Sequence, residues 1–128
     1  MPEKHVFEYA VVRVVPRVER EEFLNVGVVV YCRAQGFLQV RWTLPAERLR
    51  AFSRELPDLA ELAERLRAFE RICRGRPDGG PIGQLGLAER FRWLTATRST
   101  VVQTSPVHPG LCEDAPTTLN QLYAHLVE

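Results

Sequence analysis

Two valine-rich stretches near the start of the chain, VFEYAVVRVV from Val6 to Val15 and VGVVVYCR from Val26 to Arg33, limit its fold more than any other feature. β-Branched residues at this density are stiff at the side chain and suit pleated backbone better than helix. In the first stretch Phe7, Tyr9, Val11 and Val15 share one face, while Ala10, Val12 and Val14 share the other. A strand that is apolar on both faces belongs inside a sheet covered on both sides. Arg13 lies on the Phe7 face. Its guanidinium keeps its charge, so it needs a carboxylate such as Glu22, or a sheet edge where the stem packs and the head reaches water; the edge is the expectation. Pro16 ends this strand, because proline has no ladder donor, and the polar RVEREE leads to Asn25.

The second run carries valines at four positions, and Gly27 within it predicts a bulge or a close backbone approach. Ala34, Gln35 and Gly36 form a short loop before FLQVRW, whose Leu38, Val40 and Trp42 point inward, so these two strands form an antiparallel hairpin. Beyond Trp42 the apolar period lengthens to that of a helix. Pro45 opens a short helix running to Phe52 or Ser53, and Pro57 closes the segment. A longer helix starts at Asp58 as N-cap with Glu61 at the capping-box position. Its stripe is Leu59, Leu62, Leu66, Phe69 and Cys73, its end is Gly75, and Glu61 with Arg65 and Glu70 with Arg74 are spaced as ion pairs. GRPDGGPIG, residues 75–83, reads as a flexible loop because of its four glycines and two prolines. A helix from Leu87 to Leu94 presents Leu87, Phe91 and Leu94 on one side, and a strand follows near Ser99 to Gln103. The tail, capped by Thr117 or Thr118, aligns Leu119, Leu122, Tyr123 and Leu126. The expected fold is α+β: a single domain over residues 1–128, with a small, mainly antiparallel sheet of about four strands and helices packed on it.

With 128 residues, 45% of them apolar, such a domain buries roughly two thirds of its unfolded surface. Seventeen basic and sixteen acidic residues leave a net charge of +1, too little for a global field that would drive binding to nucleic acid or an anionic membrane. Cys32, Cys73 and Cys112 are odd in number and lack CxxC spacing, MPEKHVFEY has no long apolar segment, and no window reads as a membrane span. A cytoplasmic location is expected.

Two segments, PRVEREEFLNVGVVV and ERFRWLTATRSTVVQTSPVHPG, resemble the signature blocks of an uncharacterised bacterial family, domain of unknown function 3037. They cover about a third of the chain and occur in the family's order. The resemblance implies a protein partner, a kinase-fold protein similar to HipA whose gene often neighbours those of such a family. It singles out Glu22, Phe23, Asn25 and Gly27 in the first block. In the second it singles out Arg90, Trp93, Arg98, Ser99, Gln103, Ser105, His108 and Gly110.

Each of these residues also has a plain structural reading. Asn25 caps a strand entry, and Gly27 packs. Arg90, Arg92 and Arg98 around Trp93 suit an anion, although a tryptophan is more often core and PDGGPIG lacks the lysine and hydroxyl of a phosphate loop. His108-Pro109-Gly110 suits a type II turn, so SPVHPG reads first as a rigid corner. His108 and Cys112 share an i,i+4 offset, but His5, Cys32, Cys73 and His125 add no paired spacing, so neither a metal nor a cofactor is expected. Ser99 or Ser105 with His108 and Glu22 would make a nucleophilic set, yet no GxSxG elbow supports one and no catalytic residue is assigned. The leading expectation is a binding or adaptor module whose contact residues are Glu22, Asn25, Arg90, Arg98, Gln103 and His108. A small enzyme with a polar pocket around Glu22, Arg98 and His108, and a phosphate- or nucleic-acid-binding module, are the alternatives.

Overall fold

A computed structural model of the chain describes residues 3–16, 22–52, 58–98 and 100–128. The polar connection 17–21, the closing Pro57 and Ser99 lie outside the described residues. The first valine-rich run is β1, His5–Val14, and it is the central strand of the sheet. The second is β2, Leu24–Cys32, and FLQVRW is β3, Phe37–Trp42, paired antiparallel to β2 from Gly27↔Trp42 to Cys32↔Phe37. The other edge of β1 is shared end to end by β4, Val102–Thr104, and β5, His108–Cys112, both antiparallel to it. The sheet therefore has five strands, one more than expected.

That fifth strand corrects the reading of SPVHPG as a corner. Pro109 and Gly110 are strand residues opposite Glu8 and Phe7. Proline is tolerated there because β5 is an outer strand and a missing donor costs no ladder bond on the open side. Gly110 is needed because the Phe7 ring crowds it: a Cβ at residue 110 would sit 2.6 Å from Phe7 Cε1 and 2.7 Å from Cζ. The irregularity comes earlier, over Ser105 to Val107, where the pairing steps by one residue between β4 and β5 while the chain keeps its direction. Ser105 splices the ladder. Its N–H donates to the Val11 carbonyl and its Oγ accepts from the Val11 N–H, each at 2.8 Å.

Both faces of β1 are covered, as the two-sided apolar pattern requires. On one face Ala10, Val12 and Val14 meet Leu49 of α1 (Ala46–Phe52), Leu62, Leu66 and Phe69 of α2 (Leu59–Arg74), and Phe91 and Leu94 of α4 (Leu87–Leu94). On the other, Phe7, Val28, Val30 and Phe37 pack against Leu119 and Tyr123 of α5 (Ala115–Leu126). Leu38, Val40 and Trp42 point to the α2 side as expected. Gly27 admits the Arg41 carbonyl, which would lie 2.7 Å from a Cβ, and the neighbouring register shift makes the expected bulge.

Asp58 caps α2 by accepting from the Ala60 N–H, and Gly75 closes it at φ 68°. The 16-residue helix bears the predicted stripe, with Ile72 also buried. Its ion pairs differ from those expected. Glu64 takes Arg71 at 2.7 Å and Arg67 at 3.7 Å, Arg74 faces Asp78, and Glu70 accepts from the Trp42 indole. Residues 75–83 are not irregular: Pro77–Gly79 form a 3-10 turn and Gly80–Gly83 a one-turn helix, α3. The cap of α5 is Asp114, which accepts from the Thr117 N–H and hydroxyl, rather than Thr117 or Thr118. Among the described residues no helix is long and apolar enough to cross a membrane.

Candidate functional site

The α5 face of the sheet carries a polar row. Asn25 on β2, Arg13 on β1 and Gln103 on β4 are register partners, so their side chains leave the same face side by side. Arg13 is thus in the middle of the sheet, not at its edge. Its guanidinium stacks 3.9 Å above the half-exposed Phe23 ring, and burial lowers its pKa from the ordinary arginine value. Asn25 Nδ2 donates to the Leu126 carbonyl at 3.1 Å, tying β2 to the end of α5, and Gln103 Nε2 donates to the Thr100 carbonyl at 2.8 Å. Arg13 Nε and Asn25 Oδ1 are buried without hydrogen-bond partners among the described residues. Glu22 is exposed at the entry to β2. His108 is exposed further along the same face, its ring 5.3 Å from that of Tyr9.

Arg90 and Arg98, the two arginines among the six expected contact residues, lie on the opposite, α2 side of the sheet, so the six divide between two surfaces. Arg90 is tied internally. It donates to the carbonyls of Ile72, Cys73 and Leu85 at 2.8–3.0 Å, and a Cβ at Gly75 would strike its guanidinium. It thereby satisfies carbonyls that the end of α2 leaves open and places a positive charge at the negative pole of the helix. Arg98 instead lies flat on the Trp93 ring, 4.1 Å from its centroid, and donates to the Trp93 carbonyl; burial lowers its pKa. Trp93 is 40% exposed, against the core position expected of it.

Trp93 and Arg98 stand beside a cavity of about 240 Å³. Phe69, Ile72 and Val102, all nearly buried, supply its apolar lining, with Ala68 and Thr100, and Arg65 adds a second cation. The cavity exists because α2 presents the small Ala68 between Arg65 and Phe69, while α4 turns Trp93 outward. Sequence reasoning missed Arg65, Phe69 and Ile72 as site residues, having placed the first in a surface ion pair and Phe69 in the core. One signal was present: Trp93 falls off the Leu87, Phe91, Leu94 stripe, so a helix seated on that stripe must expose it.

Ser105, weighed as a nucleophile, is buried, and its hydroxyl donates to the Pro106 carbonyl while accepting from Val11. The three cysteines are free and buried. Desolvation pushes the Cys73 thiol up to about 12 and raises that of Cys112, beside Cys32. These environments disfavour the thiolate form that nucleophilic chemistry uses.

No curated protein and no solved structure matches the chain. A family model does, over residues 9–127, spanning β1 through α5 and so both polar surfaces. The chain belongs to the family described as protein of unknown function DUF3037.

Proposed function

We propose that this protein is a small binding module of the cytoplasm that acts by contacting another protein. The partner we favour is the kinase-fold protein similar to HipA that the family resemblance implies. One observation carries the reading: an exposed tryptophan, held in place by a stacked arginine, stands beside an apolar cavity on an otherwise helical surface. Tryptophan and arginine are the residues most enriched among those that dominate protein–protein binding energy, and they act best when rigid and next to a pocket. Three free, buried thiols fit a reducing compartment.

Co-expression with the kinase-fold neighbour followed by gel filtration tests the proposal. A stable complex is expected, weakened about 30-fold by Trp93→Ala, the size of a hot-spot loss. Two well-behaved, separate peaks from the unaltered proteins would remove it.

Arg13 Nε and Asn25 Oδ1, without hydrogen-bond partners among the described residues, favour a second reading, a small-molecule site on the polar row joined by Gln103, with Glu22 and His108 near its ends. That reading requires a ligand whose binding is lost in Arg13→Lys, because lysine has no counterpart of Nε.

A further inference from the structure

We infer that the cavity beside Trp93 receives one apolar side chain from a partner segment whose flanking residues carry carboxylates. This rests on the protein-partner reading and names the chemistry that the partner must present. Three observations lead to it. The first is size: about 240 Å³ falls below the roughly 300–1,000 Å³ of small-molecule pockets and suits a single leucine- or phenylalanine-sized side chain. The second is the apolar floor of Phe69, Ile72 and Val102, which offers such a side chain contact without polar groups to desolvate.

The third is charge. Arg65 and Arg98 are the ionised residues of the lining, and no carboxylate lines the cavity among the described residues. The nearby Glu64 is turned to Arg71 and Arg67. Arg98 is also pre-set: its stacking on Trp93 and its bond to the Trp93 carbonyl fix the guanidinium before any partner arrives, so little freedom is lost when a carboxylate accepts from it. A stacked nucleobase fits less well, because Arg98 already covers one face of the Trp93 ring.

The molecule contains its own reporter. The Trp42 indole N–H is held by Glu70, whereas Trp93 is exposed at the cavity, so the two indole signals in a nitrogen–proton NMR spectrum separate a specific event from a global one. The probe is a blocked pentapeptide with one leucine between two pairs of aspartates. At millimolar peptide the Trp93 signal should shift saturably and the Trp42 signal should stay. Replacing the leucine by alanine, or the aspartates by lysines, should weaken binding at least about 10-fold, as should Arg98→Gln and the exposed charge reversal Arg65→Glu. Ala68→Phe, which fills the cavity from the helix surface, should abolish the shift.

The inference is overturned if Trp93 shows no saturable shift, or if the alanine or lysine peptide binds as well as the first. It also falls if the full partner still binds Ala68→Phe with unchanged affinity; the protein-partner reading then survives with its contact elsewhere. Failure of the unaltered protein to bind the kinase-fold neighbour removes that assignment alone, because the peptide shift is measured without it.

Discussion

A Cβ placed on Gly110 would lie inside the van der Waals envelope of the Phe7 ring, so this glycine is required by its neighbour across the sheet and not by a turn. Gly110→Ala should lower stability by about 1–3 kcal/mol in urea unfolding, the usual cost of overpacking, and Phe7→Leu should recover part of the loss. Ser105 makes a complementary case. Ser105→Ala leaves the Val11 N–H buried without its acceptor, for a loss of about 1–3 kcal/mol by the same measurement. Neither role is legible in SPVHPG. Locally, proline before glycine favours a turn; only the strand that lies opposite converts the same residues into an edge strand in close contact with a ring. Arg13 was legible as an anomaly, a charge on an apolar face, but which groups would surround it depended on strand order.

At the scale of elements, the helices were read well where a stripe and its cap lie close in sequence, as in α2 with Asp58 and Gly75 or α4 with Leu87, Phe91 and Leu94. The end of α2 also depends on a residue of α4. Arg90→Ala should cost about 2 kcal/mol, because hydrogen bonds to a charged group are among the stronger ones, and Arg90→Lys should recover little since lysine lacks the fork that reaches three carbonyls. Thermal unfolding of the two variants checks this. Asp114 ties the start of α5 to pH. Its hydrogen bonds from the Thr117 hydroxyl and N–H lower its pKa below the ordinary 3.8, so the unfolded chain takes up its proton first on acidification. The stabilisation is therefore complete above about pH 4 and fades as pH falls through the lowered folded value. Unfolding measured from pH 5 to 2.5 should show a shallower loss for Asp114→Asn than for the unaltered protein. The helix begins ahead of Thr117 and Thr118, the caps expected from the sequence, because Pro116 sits in its first turn, where a missing N–H costs nothing.

Across the whole molecule, one sheet separates two helical layers, and all three thiols are buried. The native protein should react slowly with a thiol-specific chromogenic disulfide and release three equivalents only when unfolded; a fast equivalent in the native state would contradict the burial of at least one cysteine. Because the Cys73 pKa is raised from 9.0 to about 12, its contribution to stability is full below pH 9 and is lost as pH climbs towards 12. The same layering divides the second signature block itself: its Arg90 and Arg98 lie on the α2 side, while its Gln103 and His108 lie on the α5 side with Asn25 of the first block. By itself the sequence determined the first three strands, most helices, the α+β class and the two-sided burial of β1, because these follow from side-chain periodicity and stiffness within short windows. The tertiary structure alone decided that Pro109 and Gly110 form a strand, that Arg90 caps a helix, and that Trp93 stands beside a cavity with Arg65 and Arg98. Each of those outcomes depends on which distant residue arrives opposite, and no local pattern of side chains encodes that distance.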